Sequence, residues 1–97
     1  MARIIVKRHT RNNSLTLAIC DDDLIGKTFE DEHMHLKLSE SFYEGKEEDE
    51  ETISNLLHHA ISTTIVGKTA TDLVKKIQPD LLIKKVQDVP FANIFKI

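Results

Sequence analysis

Apolar positions recur most regularly between Glu51 and Val66, in the stretch ETISNLLHHAISTTIV. Ile53, Leu56, Leu57, Ala60, Ile61, Thr64 and Ile65 follow the i, i+3, i+4, i+7 spacing of one helical face, and Glu51, Asn55, His58, His59, Ser62 and Thr63 fill the rest of the turn. The spacing predicts a helix over 51–66. The acidic run Glu47–Glu51 leads into it, where negative charge suits the positive end of a helix. The remaining segments are too short to form a core alone and are expected to pack against this stripe.

Arg3–Arg8 (RIIVKR) and Leu15–Cys20 (LTLAIC) are apolar and β-branched, which predicts a hairpin. His9–Ser14 would join the strands in a polar loop slightly longer than the tightest type. Asp21–Asp23 predicts the start of a short helix through Leu24, Ile25 and Lys27, limited by Gly26, with Phe29 anchoring the turn beneath it. His33–Ser39 alternates, with Met34, Leu36 and Leu38 on one side, and predicts a half-buried strand. Phe42–Gly45 reads as a turn that inserts aromatic rings.

Gly67 is expected to end the long helix in a left-handed C-cap. Thr69 would cap a second helix, with Asp72 three residues on and Ala70, Leu73, Val74 and Ile77 as its apolar stripe. Gln78-Pro79 stops it. Leu81–Val86 and Phe91–Ile97 read as strands about a turn at Gln87–Pro90. The order β-β-α-β-α-α-β-β predicts an α+β fold: a small mixed or antiparallel sheet with a helix pair on one face.

The chain has 97 residues, so one domain spanning 1–97 is expected. No apolar run reaches the roughly 18 residues of a membrane span, and the N-terminal residues lack the apolar stretch of a signal peptide. Cys20 is the only cysteine, which precludes an internal disulfide and points to the cytoplasm. The net charge of −3 is unevenly spread: +4 over residues 1–20, −10 over 21–51 and +3 over 52–97. Nucleic-acid binders usually carry a basic domain surface, so any such site here must be local.

The motifs AICDDDLIGKTFED, SFYEG, A-x(6)-VGK and VPFANIFKI, taken together, resemble the archaeal domain-of-unknown-function family 424. The resemblance runs from about Ile4 to Ile97 and rests on Cys20-Asp21, Leu24, Gly26-Lys27, Phe29, Phe42-Tyr43, Gly45, Gly67 and Pro90. It implies a small archaeal cytoplasmic protein and brings no activity, substrate or cofactor. Where the family pattern reads Pro-His-Ala-Gln, this chain has Pro90-Phe91-Ala92-Asn93, and Phe91 can neither shuttle protons nor bind metal.

Gly26-Lys27-Thr28 and Gly67-Lys68-Thr69 are not phosphate loops, because the positions that need a further glycine hold Asp21 and Ser62. His33 and His35 share a strand face about 7 Å apart, which supplies two metal ligands and no third. His58 and His59 lack the i, i+4 spacing that brings two imidazoles together. No metal, cofactor or catalytic residue is therefore assigned. Cys20 sits beside Asp21–Asp23, whose charge disfavours a thiolate, so a buried structural role is expected.

The reading that fits best is a non-catalytic binding module for a protein or ribonucleoprotein partner. Its binding candidates are Asp21, Lys27, Phe42, Tyr43, Phe91 and Asn93. One alternative is a small enzyme using Cys20, Asp21 and Lys27. Another is RNA binding through Arg3, Lys7, Arg8, Lys84 and Lys85. No membrane partner is expected, and the sequence leaves the oligomeric state open.

Overall fold

The computed structural model describes residues 2–96. Strands β1 (Ile4–Arg11) and β2 (Ser14–Asp21) form the predicted hairpin. Its pairing runs to Arg11↔Ser14, so the connection is only Asn12-Asn13. Both asparagines take positive φ, 51° and 65°, the backbone of the tightest hairpin turn. The longer loop expected over His9–Ser14 is corrected accordingly.

A single 3-10 turn (Asp22–Leu24) leads to β3 (Thr28–Glu30) and β4 (His35–Lys37), which pair as a separate small sheet. Then come α1 (Glu40–Tyr43), β5 (Lys46–Glu47), α2 (Glu50–His59), β6 (Ser62–Val66), α3 (Lys68–Ile77), β7 (Lys84–Val86) and β8 (Val89–Phe95). The main sheet has the order β5-β1-β2-β6-β8-β7, and β2–β6 is its parallel pair. The α+β class and the mixed sheet stand as expected.

The long helix does not. It ends at His59, and Ser62–Val66 is a strand in the middle of the sheet. Thr63, Thr64, Ile65 and Val66 are β-branched, which costs side-chain freedom in a helix and suits a pleated sheet. Ile65 and Val66 are buried in the cores on opposite faces, so that end of the strand shows no alternation of apolar and polar residues, and its spacing passes for a helical one. Gly67 therefore opens α3 and does not close α2. Asp72, read as part of a capping box, instead pairs with Lys68 at 3.2 Å.

Helix α2 starts at Asp49, whose side chain accepts the Thr52 N–H at 2.9 Å. Helices α2 and α3 lie on one face of the sheet. Ile53, Leu57, Ala70 and Val74 pack there on Val6, Leu17, Ile19, Ile65 and Ala92. Burying each large aliphatic side chain contributes about 1.5–3 kcal/mol. The opposite face carries a second core of Ala18, Cys20, Val66, Val86 and Phe91 beneath Leu38 and Tyr43. The short elements β3, β4 and α1 form that cover, with Phe29, Leu36 and Phe42 at its margin.

The expected strand over 33–39 shrinks to β4, yet Leu38 is fully buried as its alternation implied. The strand expected over 81–86 keeps only Lys84–Val86, and Leu82 stands 83% exposed. The last strand begins earlier than expected, at Val89, and Ile97 lies outside the described residues.

Candidate functional site

Partnered residues on neighbouring strands point to the same side of a sheet, so the register fixes what each face presents. On the face away from the long helices, one row reads Ile5, Cys20, Val66, Phe91. Two residues toward the hairpin turn the row reads Lys7, Ala18, Thr64, Asn93, and the next reads His9, Thr16, Ser62, Phe95. The last holds Arg11 and Ser14.

The cover is one helical turn and two three-residue strands, too short to span all four rows. It buries Cys20, Val66, Phe91 and Ala18 and stops. Beyond it the sequence changes from aliphatic to hydroxyl and amide side chains, which water solvates at little cost. Thr16, Ser62 and Thr64 are half-buried there, Asn93 and Arg11 are exposed, and Phe95 is 75% exposed. Ser62 Oγ donates to Thr16 Oγ1 at 3.5 Å, and Thr64 Oγ1 donates to Asn93 Oδ1 at 3.1 Å. The result is an uncovered platform across β1, β2, β6 and β8.

Two concavities flank it. At the hairpin end a cleft of about 470 Å³ is lined by His9, Arg11, Ser14, Thr16, Phe42 and Ile61. At the β8 end a cleft of about 310 Å³ is lined by Met34, Leu82, Lys84, Phe91, Asn93 and Phe95. No residue of the two rows or of either cleft's lining is acidic, although the chain as a whole carries −3. Arg8, by contrast, turns to the other face and binds Glu48 at 2.8 Å.

The six binding candidates do not converge. Phe42 borders the first cleft and Asn93 the second. Phe91 is buried in the core and also touches the second cleft. Tyr43 is a core residue, and burial, followed by the nearby Cys20, pushes its hydroxyl up to about 12. Lys27 has an exposed side chain, while its backbone bonds Leu24 and Leu38.

Asp21 is buried at the N-terminus of α3. Its carboxylate accepts the Thr69 N–H at 3.1 Å and the Ala70 N–H at 2.8 Å. Burial raises its pKa above the ordinary value, against the pull of those two amides. Both oxygens are thus committed to the fold.

Cys20 is fully buried. Burial first, then the charges of Asp21, Asp23 and Asp22, pushes its thiol up to about 12. A thiol in that state is protonated at neutral pH and is a poor nucleophile. His35 bonds Glu30 at 2.9 Å on an exposed strand. Among the described residues no cluster of three or more His, Cys, Asp or Glu is placed to hold a metal ion. No helix among them is long and apolar enough to cross a membrane.

A family model described as a protein of unknown function, domain-of-unknown-function family 424, matches residues 9–97. The chain belongs to this family. The fold is similar to the crystal structure of an uncharacterized conserved protein from Methanopyrus kandleri, with a TM-score of 0.75 and 23% identity. The alignment covers 96% of this chain and 90% of that one. No curated protein matches the chain at a significant level.

Sequence reasoning missed His9, Arg11, Thr16, Ser62, Thr64 and Phe95. The signal was present in the polar members of apolar strands: Ser14 and Thr16 in one, Ser62 and Thr64 in the other. It went unread because Ser62 and Thr64 were assigned to a helix, where they share no face with Thr16.

Proposed function

We propose that this family 424 protein is a non-catalytic binding module that attaches to a ribonucleoprotein through the uncovered part of its sheet face. The single observation behind the reading is the row His9–Thr16–Ser62–Phe95, which crosses four strands with an aromatic ring at each end and no acid in it. Phe95, 75% exposed, shares its cleft with Leu82, 83% exposed, and with Met34, and a contiguous exposed apolar patch is what interaction sites retain. The local positive charge of Lys7, Arg11 and Lys84 favours a polyanionic partner.

The enzyme alternative finds little support. Cys20 is inaccessible and held as the thiol, and Asp21 is engaged by two amides.

Sedimentation of the tagged full chain in a lysate of its own cells tests the reading. The wild type is expected to travel with ribonucleoprotein particles and to return to the top of the gradient after ribonuclease treatment. Phe95→Ser is expected to stay at the top throughout. A wild type that sediments as the free protein, or a variant that sediments with the particles equally well, would overturn the proposal.

A further inference from the structure

The two clefts flanking the uncovered face differ in chemistry, and the one at the hairpin end has the parts of a base-stacking site. The His9 and Phe42 rings stack at 4.6 Å between centroids and 17° between planes. His9 Nε2 lies 2.9 Å from the Phe42 carbonyl oxygen. A carbonyl only accepts, so Nε2 carries the hydrogen and Nδ1 remains free to bond a ligand. The ring is thereby fixed in orientation before anything binds. Both rings line the cleft, and Ile61, 48% exposed, adds an apolar wall. The edge-on partners are hydroxyls and an amide: Ser14, Thr16 and Asn12.

Charge completes the set. Arg3 and Arg8 face Glu47 and Glu48, whereas Arg11 has no acidic partner among the described residues. Arg11 also lines the cleft. An unpaired guanidinium beside an aromatic stack and a rim of hydroxyls suits a flat heterocycle that carries a phosphate.

The row continues from this cleft. Thr16 and Ser62 join His9 to Phe95 across three inter-strand steps, a span of roughly 14 Å. That separation allows one strand to place a base at each end while its backbone crosses hydroxyl groups. Resting on the binding-module reading above, we infer that the face takes single-stranded nucleic acid, with one base in the His9–Phe42 cleft, a phosphate at Arg11 and a second base on Phe95. Single-stranded RNA and single-stranded DNA share this chemistry, and the test separates them.

The full chain, labelled with nitrogen-15, is titrated with short oligouridylate and oligoadenylate, with their deoxy counterparts, and with polyphosphate as a polyanion lacking bases. Amide shifts are expected at residues of the row, at Asn12 and at Ile61, with affinity falling as salt rises. Tighter binding of the ribose series assigns RNA, and equal binding assigns either single strand. Phe42→Leu, which keeps the position apolar while removing the ring, and Phe95→Ser, at an exposed position, are each expected to weaken binding about tenfold. Arg11→Gln is expected to lower the salt slope by about one.

The inference is overturned if no oligonucleotide shifts these amides at low salt. It is equally overturned if polyphosphate binds as well as the oligonucleotides and Phe42→Leu and Phe95→Ser leave affinity unchanged. If the wild type still sediments with ribonucleoprotein while oligonucleotides fail to bind, the module attaches through a protein component and this inference alone falls.

Discussion

The carboxylate of Asp21 occupies the space that a Cβ on Gly67 would need. Gly67 sits at φ 107°, ψ 152°, a region that essentially only glycine visits. The two residues lie at the ends of neighbouring parallel strands, one past the last partnered pair Cys20↔Val66. Here the sheet hands the chain to α3, and a side chain from one strand caps the helix that leaves the other.

Gly67→Ala is therefore expected to cost about 1–3 kcal/mol from backbone strain alone, with the collision against Asp21 in addition. Asp21→Ala leaves the buried Ala70 N–H without its acceptor, which costs about 1–3 kcal/mol. Together the two changes should cost less than their sum, because removing the carboxylate also removes the collision. Urea unfolding of the three variants measures this coupling, and strict additivity would contradict it.

Asp21 and Asp49 titrate in opposite senses. Burial raises the Asp21 pKa above its ordinary 3.8, so the folded state holds that proton longer than the unfolded state does. Its contribution to stability declines as pH rises from 3.8 through the raised folded value and is constant above it. The Asp49 pKa is lowered by the Thr52 backbone N–H and then by the Thr52 hydroxyl. Its contribution is present above 3.8 and is lost as pH falls through the folded value. In unfolding experiments across the acid range, the advantage of wild type over Asp21→Asn should shrink with rising pH. The advantage over Asp49→Asn should grow.

Cys20 should resist alkylation at neutral pH in the folded protein, because it is buried and its thiol is pushed up to about 12. Labelling should then proceed only through unfolding, and its rate should climb with urea in step with the unfolded fraction. Fast labelling without denaturant would bring the enzyme alternative back. Cys20→Ser places a hydroxyl among Ala18, Val66 and Phe91, and is expected to cost about 1–3 kcal/mol.

The hairpin and α3 were legible because their patterns are local: two apolar β-branched runs flank a polar segment, and Ala70, Leu73, Val74 and Ile77 mark a single helical face. The turn itself is tighter than expected, because Asn12 and Asn13 both take positive φ and let the pairing run to Arg11↔Ser14. The parallel β2–β6 pair was not legible. Its partners are 46 residues apart, Thr16 and Ser62, and a strand whose Ile65 and Val66 are buried on opposite faces carries no clean alternation. The same misreading hid the candidate site, since the polar row exists only once Ser62 and Thr64 lie beside Thr16 and Ala18. The Asp21 cap was equally invisible, because its helix begins 47 residues later at Lys68.

Two isoleucines four residues apart separate the helix reading from the strand. On a continuous helix over 51–66, Ile61 and Ile65 would share the buried stripe, and truncating either would cost a similar amount. In β6 they differ. Ile65 is fully buried between β2 and β8, opposite Ile19 and Ala92, whereas Ile61 precedes the strand and is 48% exposed at the hairpin-end cleft. Ile65→Ala is expected to destabilise the fold by about 2–5 kcal/mol. Ile61→Ala should fall within about 0.5–1 kcal/mol of wild type, as surface changes do. Ile61→Ala should instead weaken oligonucleotide binding, since its side chain lines the cleft assigned to a base. Equal stability losses for the two variants would count against the strand, and an Ile61→Ala protein that binds as tightly as wild type would count against the cleft.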